Sequence, residues 1–178
     1  MRPIQGKQPL SLLGRIFGET RPRGALEPLY RAVVALGRDP AWYREGRVPD
    51  TIDGRFDLIA ALLALVLIRI EAEGEAGRAP SVLLTEIFID DMDGILRQIG
   101  IGDYVVGKHV GRMMSALGGR IAAFREAPFE GAVRRNIFHE APPSDEAVET
   151  VCVRLERFAE ALRAAELEAL LSGALPTP

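Results

Sequence analysis

The sequence predicts an all-α fold, a single-domain helical bundle of about five to seven helices. Three observations carry this. Apolar residues recur at helical spacing along most of the chain, and no stretch alternates with period two for long enough to make a strand. The third is an eleven-residue apolar run, Leu58 to Ile68, held between Asp57 and Arg69. A membrane-spanning helix needs roughly 20 apolar residues, so this run reads as the buried central helix of a bundle. The 178 residues are 48% apolar with a net charge of −3, which suits one domain with a real core and excludes wholesale disorder.

Charge divides the chain. Residues 1–24 carry five basic residues against Glu19, a net of +4, which leaves −7 for the remainder. Three prolines and four glycines make this stretch a poor helix, and it reads as a basic, flexible N-terminal tail. Its Leu10, Leu12, Leu13, Ile16 and Phe17 around Arg15 also suit a weak contact with an anionic membrane surface. The all-α domain is expected over residues 25–172, followed by a flexible C-terminal tail at 173–178. No cleavable secretory segment is evident, which gives a cytoplasmic address, peripheral to the inner membrane if the tail engages it.

Within the domain, Leu26, Leu29, Tyr30, Val33 and Val34 define a first helix that Pro40 is expected to close, followed by a short turn with Trp42 and Tyr43. Thr51 or Asp53 can cap the apolar helix, which should reach about Glu75 before Gly74, Gly77 and Pro80 end it. A third helix is expected from about Pro80 to Ile99, with Gly100 and Gly102 at its C-terminal turn. Asp103 is placed to cap a fourth, where Val106, Val110, Met113, Leu117, Ile121 and Phe124 follow bundle spacing. A shorter segment runs to about Phe138. Ser144 then caps a last helix carrying Val148, Val151, Cys152, Leu155, Phe158 and Leu162.

Catalytic chemistry finds little to work with, and the chain reads as a protein that is not an enzyme and needs no cofactor. Gly102 to Lys108 fits the G-x-x-x-x-G-K frame of a phosphate loop, but His109 stands where the magnesium-binding hydroxyl belongs and no strand precedes it. Asp90, Asp91 and Asp93 suggest a metal, yet only Asp90 and Asp93 share a helix face, and Asp93 precedes Arg97 by four residues, an ion-pair spacing. Cys152 is the only cysteine and lies on an apolar stripe, which excludes a disulfide framework and favours inert packing. His109 and His139 have no local acid–nucleophile arrangement. The acidic main body and scattered aromatics disfavour DNA.

What folding alone does not demand is the segment Val48 to Asp57, which sets Asp50, Asp53, Asp57 and Arg55 at the entry of the most apolar helix. Either Arg–carboxylate pairs lock the loops there, or the charges face a partner. Arg55 and Arg97 are expected to pair with carboxylates of the Asp50–Asp57 and Asp90–Asp93 segments.

The stretch Pro49 to Asp57, followed by Asp91-Met92-Asp93, Leu96-Arg97, Gly100 to Asp103 and Val106-Gly107-Lys108, resembles the ubiquinol–cytochrome c chaperone family from about Leu29 to Arg120. The chain departs from that pattern at Leu62, Gln98 and Gly118. The resemblance implies an all-α, non-catalytic assembly factor for the cytochrome bc1 complex, whose client is cytochrome b or a similar hydrophobic membrane protein. Mitochondrial members work beside the ribosome; this acidic chain reads as bacterial. The polar residues of the shared motifs, Asp50, Thr51, Asp53, Arg55, Asp57, Asp91, Asp93, Arg97, Asp103 and Lys108, form the partner-binding set implied. The alternative is a helical bundle that binds a small apolar ligand, a lipid or quinone, beside the Leu58–Ile68 helix.

Overall fold

A computed structural model describes residues 23–98, 103–139 and 143–178, and among these residues it is all-α with no strand. A 3-10 turn (η1, Arg23–Leu26) leads into α1 (Glu27–Gly37), α2 (Pro40–Arg44), α3 (Ile52–Glu71), α4 (Glu75–Gln98), α5 (Asp103–Ala123), α6 (Glu130–Asn136), α7 (Asp145–Ala164) and α8 (Leu167–Leu171). Two of these, α2 and α8, are five-residue turns, so the bundle proper is built from the other six.

The apolar run became the axis of the bundle. Every residue from Asp57 to Leu67 is buried, because α1, α4, α5 and α7 surround α3. A helix apolar on all sides has no solvent face to offer, and four neighbours remove the need for one. Its start is capped as the sequence suggested: the Thr51 hydroxyl accepts from the Gly54 amide at 3.0 Å. The same device opens α7, where Ser144 Oγ accepts from Ala147 N at 3.2 Å. At the far end Arg69 donates to the carbonyls of Leu162 and Ala165, both at 2.9 Å, and so satisfies the C-terminal end of α7 from a neighbouring helix.

Several expected boundaries move. Pro40 does not close α1, which ends at Gly37; it opens α2, with Asp39 as N-cap accepting from Ala41 N at 2.9 Å. Proline suits the first helical position because its missing N–H has no intrahelical partner there. The stretch around Trp42 and Tyr43 is therefore helical. α4 starts at Glu75, and Pro80 lies inside it at the loss of one backbone hydrogen bond. Leu84 and Phe88, both fully buried, supply the centre of its inner face. α5 begins with Asp103 itself rather than being capped by it, and the Gly100–Gly102 turn lies outside the described residues. At the C-terminal end, Leu175 packs against the core. Among the described residues no helix is long and apolar enough to cross a membrane.

Candidate functional site

The polar entry of α3 is a corner where three elements meet. Arg55 Nε donates to Asp50 Oδ1 at 2.6 Å, and its guanidinium lies 5.3 Å from the centroid of the Tyr43 ring on α2. The hydrogen bond it donates to Asp50 holds the Arg55 guanidinium above its ordinary pKa, so it keeps its charge. Gly54 permits the turn: a Cβ there would run into the Pro49 carbonyl oxygen. Gly54→Ala should therefore displace the 48–51 segment despite alanine's better helix propensity. The expected cost is about 1–3 kcal/mol in unfolding free energy, measured by urea denaturation, and a gain in stability would count against this packing.

Asp53 sits in the exposed first turn of α3, where a carboxylate suits the helix dipole. Between these charges Ile52 is 80% exposed, the most exposed large apolar residue described. Nothing in the sequence marks it, because a lone isoleucine at a helix start gives no sign of which face the bundle leaves open.

Asp57 belongs to the interior instead. It is 4% exposed and accepts from Arg120 on α5, itself 7% exposed, which also reaches the carbonyls of Ala116 and Asn136 at 3.3 and 3.4 Å. Phe56 faces the same guanidinium at 5.8 Å, and His139 Nδ1 stands 3.3 Å from the second Asp57 oxygen. Burial pulls the Arg120 pKa down and Asp57 pulls it back up, the expected opposition for an enclosed ion pair. Asp57 thus ties α3 to α5, the end of α6 and the segment after it. Arg120 was legible in principle, since it falls between Leu117 and Phe124 on the apolar stripe of α5, where an unaccompanied charge needs a partner.

In α4, Asp91 accepts from the Tyr30 hydroxyl at 2.7 Å, which joins it to α1. Burial first, and then the Asp91 carboxylate, push the Tyr30 hydroxyl well above the ordinary tyrosine range. Asp93 is half-buried beside it in sequence. The expected Arg55 pairing is present, whereas the side chains of Arg97, Asp103 and Lys108 lie outside the described residues. The backbone from Asp103 to Lys108 is helical, so these residues of the G-x-x-x-x-G-K frame do not form a loop, and Gly102 lies outside the described residues. Among the described residues no three His, Cys, Asp or Glu side chains converge as a metal site. Cys152 is buried in α7, and burial, with Glu156 and Glu130, pushes its thiol up to about 11. At pH 8 that leaves roughly a hundredfold less thiolate than in the unfolded chain. Alkylation by iodoacetamide should be slow until urea unfolds the protein. Because the folded chain holds the proton more tightly, this group lowers stability as pH rises above its unfolded value. Rapid labelling of the native thiol at pH 8 would contradict the assignment.

A second feature lies at the other end of α3. A groove of about 510 Å³ runs between the C-terminal half of α3, the α5–α6 connection and α7, and no polar residue of the 50–57 corner lines it.

The model of the ubiquinol–cytochrome c chaperone family matches residues 44–177, which includes Asp50, Asp53, Arg55, Asp57, Arg120 and the groove. No curated protein matches the chain. Among solved structures, the Cbp3 homolog from Brucella abortus superposes with a TM-score of 0.75 at 26% identity, covering 87% of this chain and 89% of that one. The family match spans three quarters of the sequence: this chain belongs to the ubiquinol–cytochrome c chaperone family.

Proposed function

We infer that this protein is a non-catalytic assembly chaperone of the ubiquinol–cytochrome c reductase (bc1) complex and that its client is cytochrome b. The family match over residues 44–177 carries this reading. The corner at the start of α3 supports a docking role: Ile52 is an exposed apolar anchor, and Asp50, Asp53 and Arg55 flank it in the chain with charge. An apolar centre with a polar rim is the usual anatomy of a contact surface, where the centre supplies affinity and the rim fixes orientation. Asp103 and Lys108, which belong to the same motif set, are assigned to the client contact as well. The basic stretch 1–24 keeps the complex near the anionic inner leaflet, at about 1 kcal/mol per basic residue at the surface.

Deleting the gene should lower assembled bc1 complex without lowering its transcripts. Affinity capture from membranes should retrieve cytochrome b with the wild-type protein, and Ile52→Asp should reduce that yield several-fold while the helical circular-dichroism signal stays unchanged. Normal complex levels in the deletion strain would refute the function. Undiminished capture by Ile52→Asp would move the contact away from this corner.

A further inference from the structure

The groove beside α3 has a chemistry that client capture at the corner does not use. Its floor is apolar: Leu65 and Ile68 from α3, Phe124 and Phe129 from either side of the α5–α6 connection, and Ala159 from α7. The two phenylalanines meet edge to face, with ring centroids 5.3 Å apart, which fixes that wall. Its volume of about 510 Å³ falls in the range of small-molecule sites. The edge is different, with four arginines, Arg69, Arg125, Arg157 and Arg163, against Glu156 and Glu160.

These charges are not equivalent. Arg69 is spent on Glu73 and the α7 carbonyls, and Arg125 on Glu71. Glu156 accepts from the Phe129 amide at 3.1 Å. Arg157 and Arg163 are exposed and make no ion pair among the described residues, although Glu160 is three positions from each along the helix. Two uncommitted guanidiniums therefore border an apolar trough in a chain whose net charge is −3.

The geometry points to a binding site for a single-chain anionic amphiphile, a long-chain carboxylate whose tail lies on the Leu65–Phe124–Phe129 floor and whose head meets Arg157 or Arg163. A bilayer lipid contacted through its headgroup alone would need the arginines but no concave apolar floor. A neutral apolar molecule would need the floor but no guanidinium. A carboxylate with an alkyl tail uses both, through charge-assisted hydrogen bonds at the edge and area burial below.

The test uses the full chain with dodecanoate below its micellar concentration, with dodecanol as the neutral counterpart and phosphatidylglycerol vesicles as a third arm. Calorimetry should show saturable 1:1 binding of dodecanoate and at least about tenfold weaker binding of dodecanol. The double variant Arg157→Ala/Arg163→Ala should lose that preference and leave dodecanol binding unchanged. Ala72→Trp, at the exposed mouth of the groove, should weaken both ligands by filling the trough. Equal affinity for acid and alcohol, binding insensitive to both variants, or binding to vesicles alone would each overturn the proposal. None of these outcomes bears on cytochrome b capture, which is scored at Ile52, so the two readings fail separately.

Discussion

Arg120→Met is expected to lower the free energy of unfolding by about 3–5 kcal/mol, because it strands the Asp57 carboxylate in the interior. Asp57 is 4% exposed, and the guanidinium it faces is held by two backbone carbonyls as well as by the carboxylate. Methionine keeps much of the volume of the arginine stem against Phe56 but supplies no charge, so the carboxylate must keep its desolvation cost or take up a proton. His139, half-exposed at 3.3 Å, does not replace a buried guanidinium. The double variant Asp57→Leu/Arg120→Met should cost far less than the sum of the singles, since replacing both charges removes the penalty together with the attraction. A urea-unfolding double-mutant cycle measures this directly. A single-variant cost below about 1 kcal/mol would mean that water reaches the pair and that it does not tie α3 to α5.

That pair marks the boundary of what the sequence makes legible. Helix identity follows from short-range pattern: the Leu58–Ile68 run could only be a central helix, and Thr51 and Ser144 announce their caps within three residues. Family membership was legible from the ordered motifs between Pro49 and Lys108. Pairings across the bundle were not, because nothing local in residue 57 names residue 120, 63 positions away. The prolines misled for a related reason. Pro40 and Pro80 break helices by local rule, yet Asp39 turns the first into a helix start, and the packing of α4 on α1 and α3 carries the second through. The corner was found through its charges, whereas the exposure of Ile52 is set by tertiary packing, which a lone apolar residue among charges does not reveal. The groove needs α3, α7 and the α5–α6 connection to be brought together, so neither its floor nor its uncommitted arginines carry any signature in one dimension.

Trp42→Ala should be comparably costly, about 3–5 kcal/mol, for reasons of packing rather than charge. Trp42 is fully buried, and its indole N–H donates to the Leu36 carbonyl at 2.9 Å, which ties α2 back to the end of α1. Arg154 of α7 lies 4.0 Å over the ring and reaches Asp39, the N-cap of α2, at 3.2 Å. Truncation therefore opens a cavity, removes one hydrogen-bond donor and takes away the surface on which Arg154 rests, all at a single joint between α1, α2 and α7. Trp42→Phe separates these contributions. The smaller ring keeps most of the apolar contact and a face for Arg154 but lacks the N–H, so its cost should be near 1–2 kcal/mol. Urea midpoints at an unchanged m-value give the ordering. A Phe variant as damaged as the Ala variant would make the indole hydrogen bond, not the filled volume, the decisive contribution. The same joint positions the candidate site, because Tyr43 follows Trp42 in α2 and lies under Arg55 at the corner. At temperatures where Trp42→Ala remains folded, client capture should fall more than circular dichroism does, since the helices persist while the platform beneath Arg55 shifts.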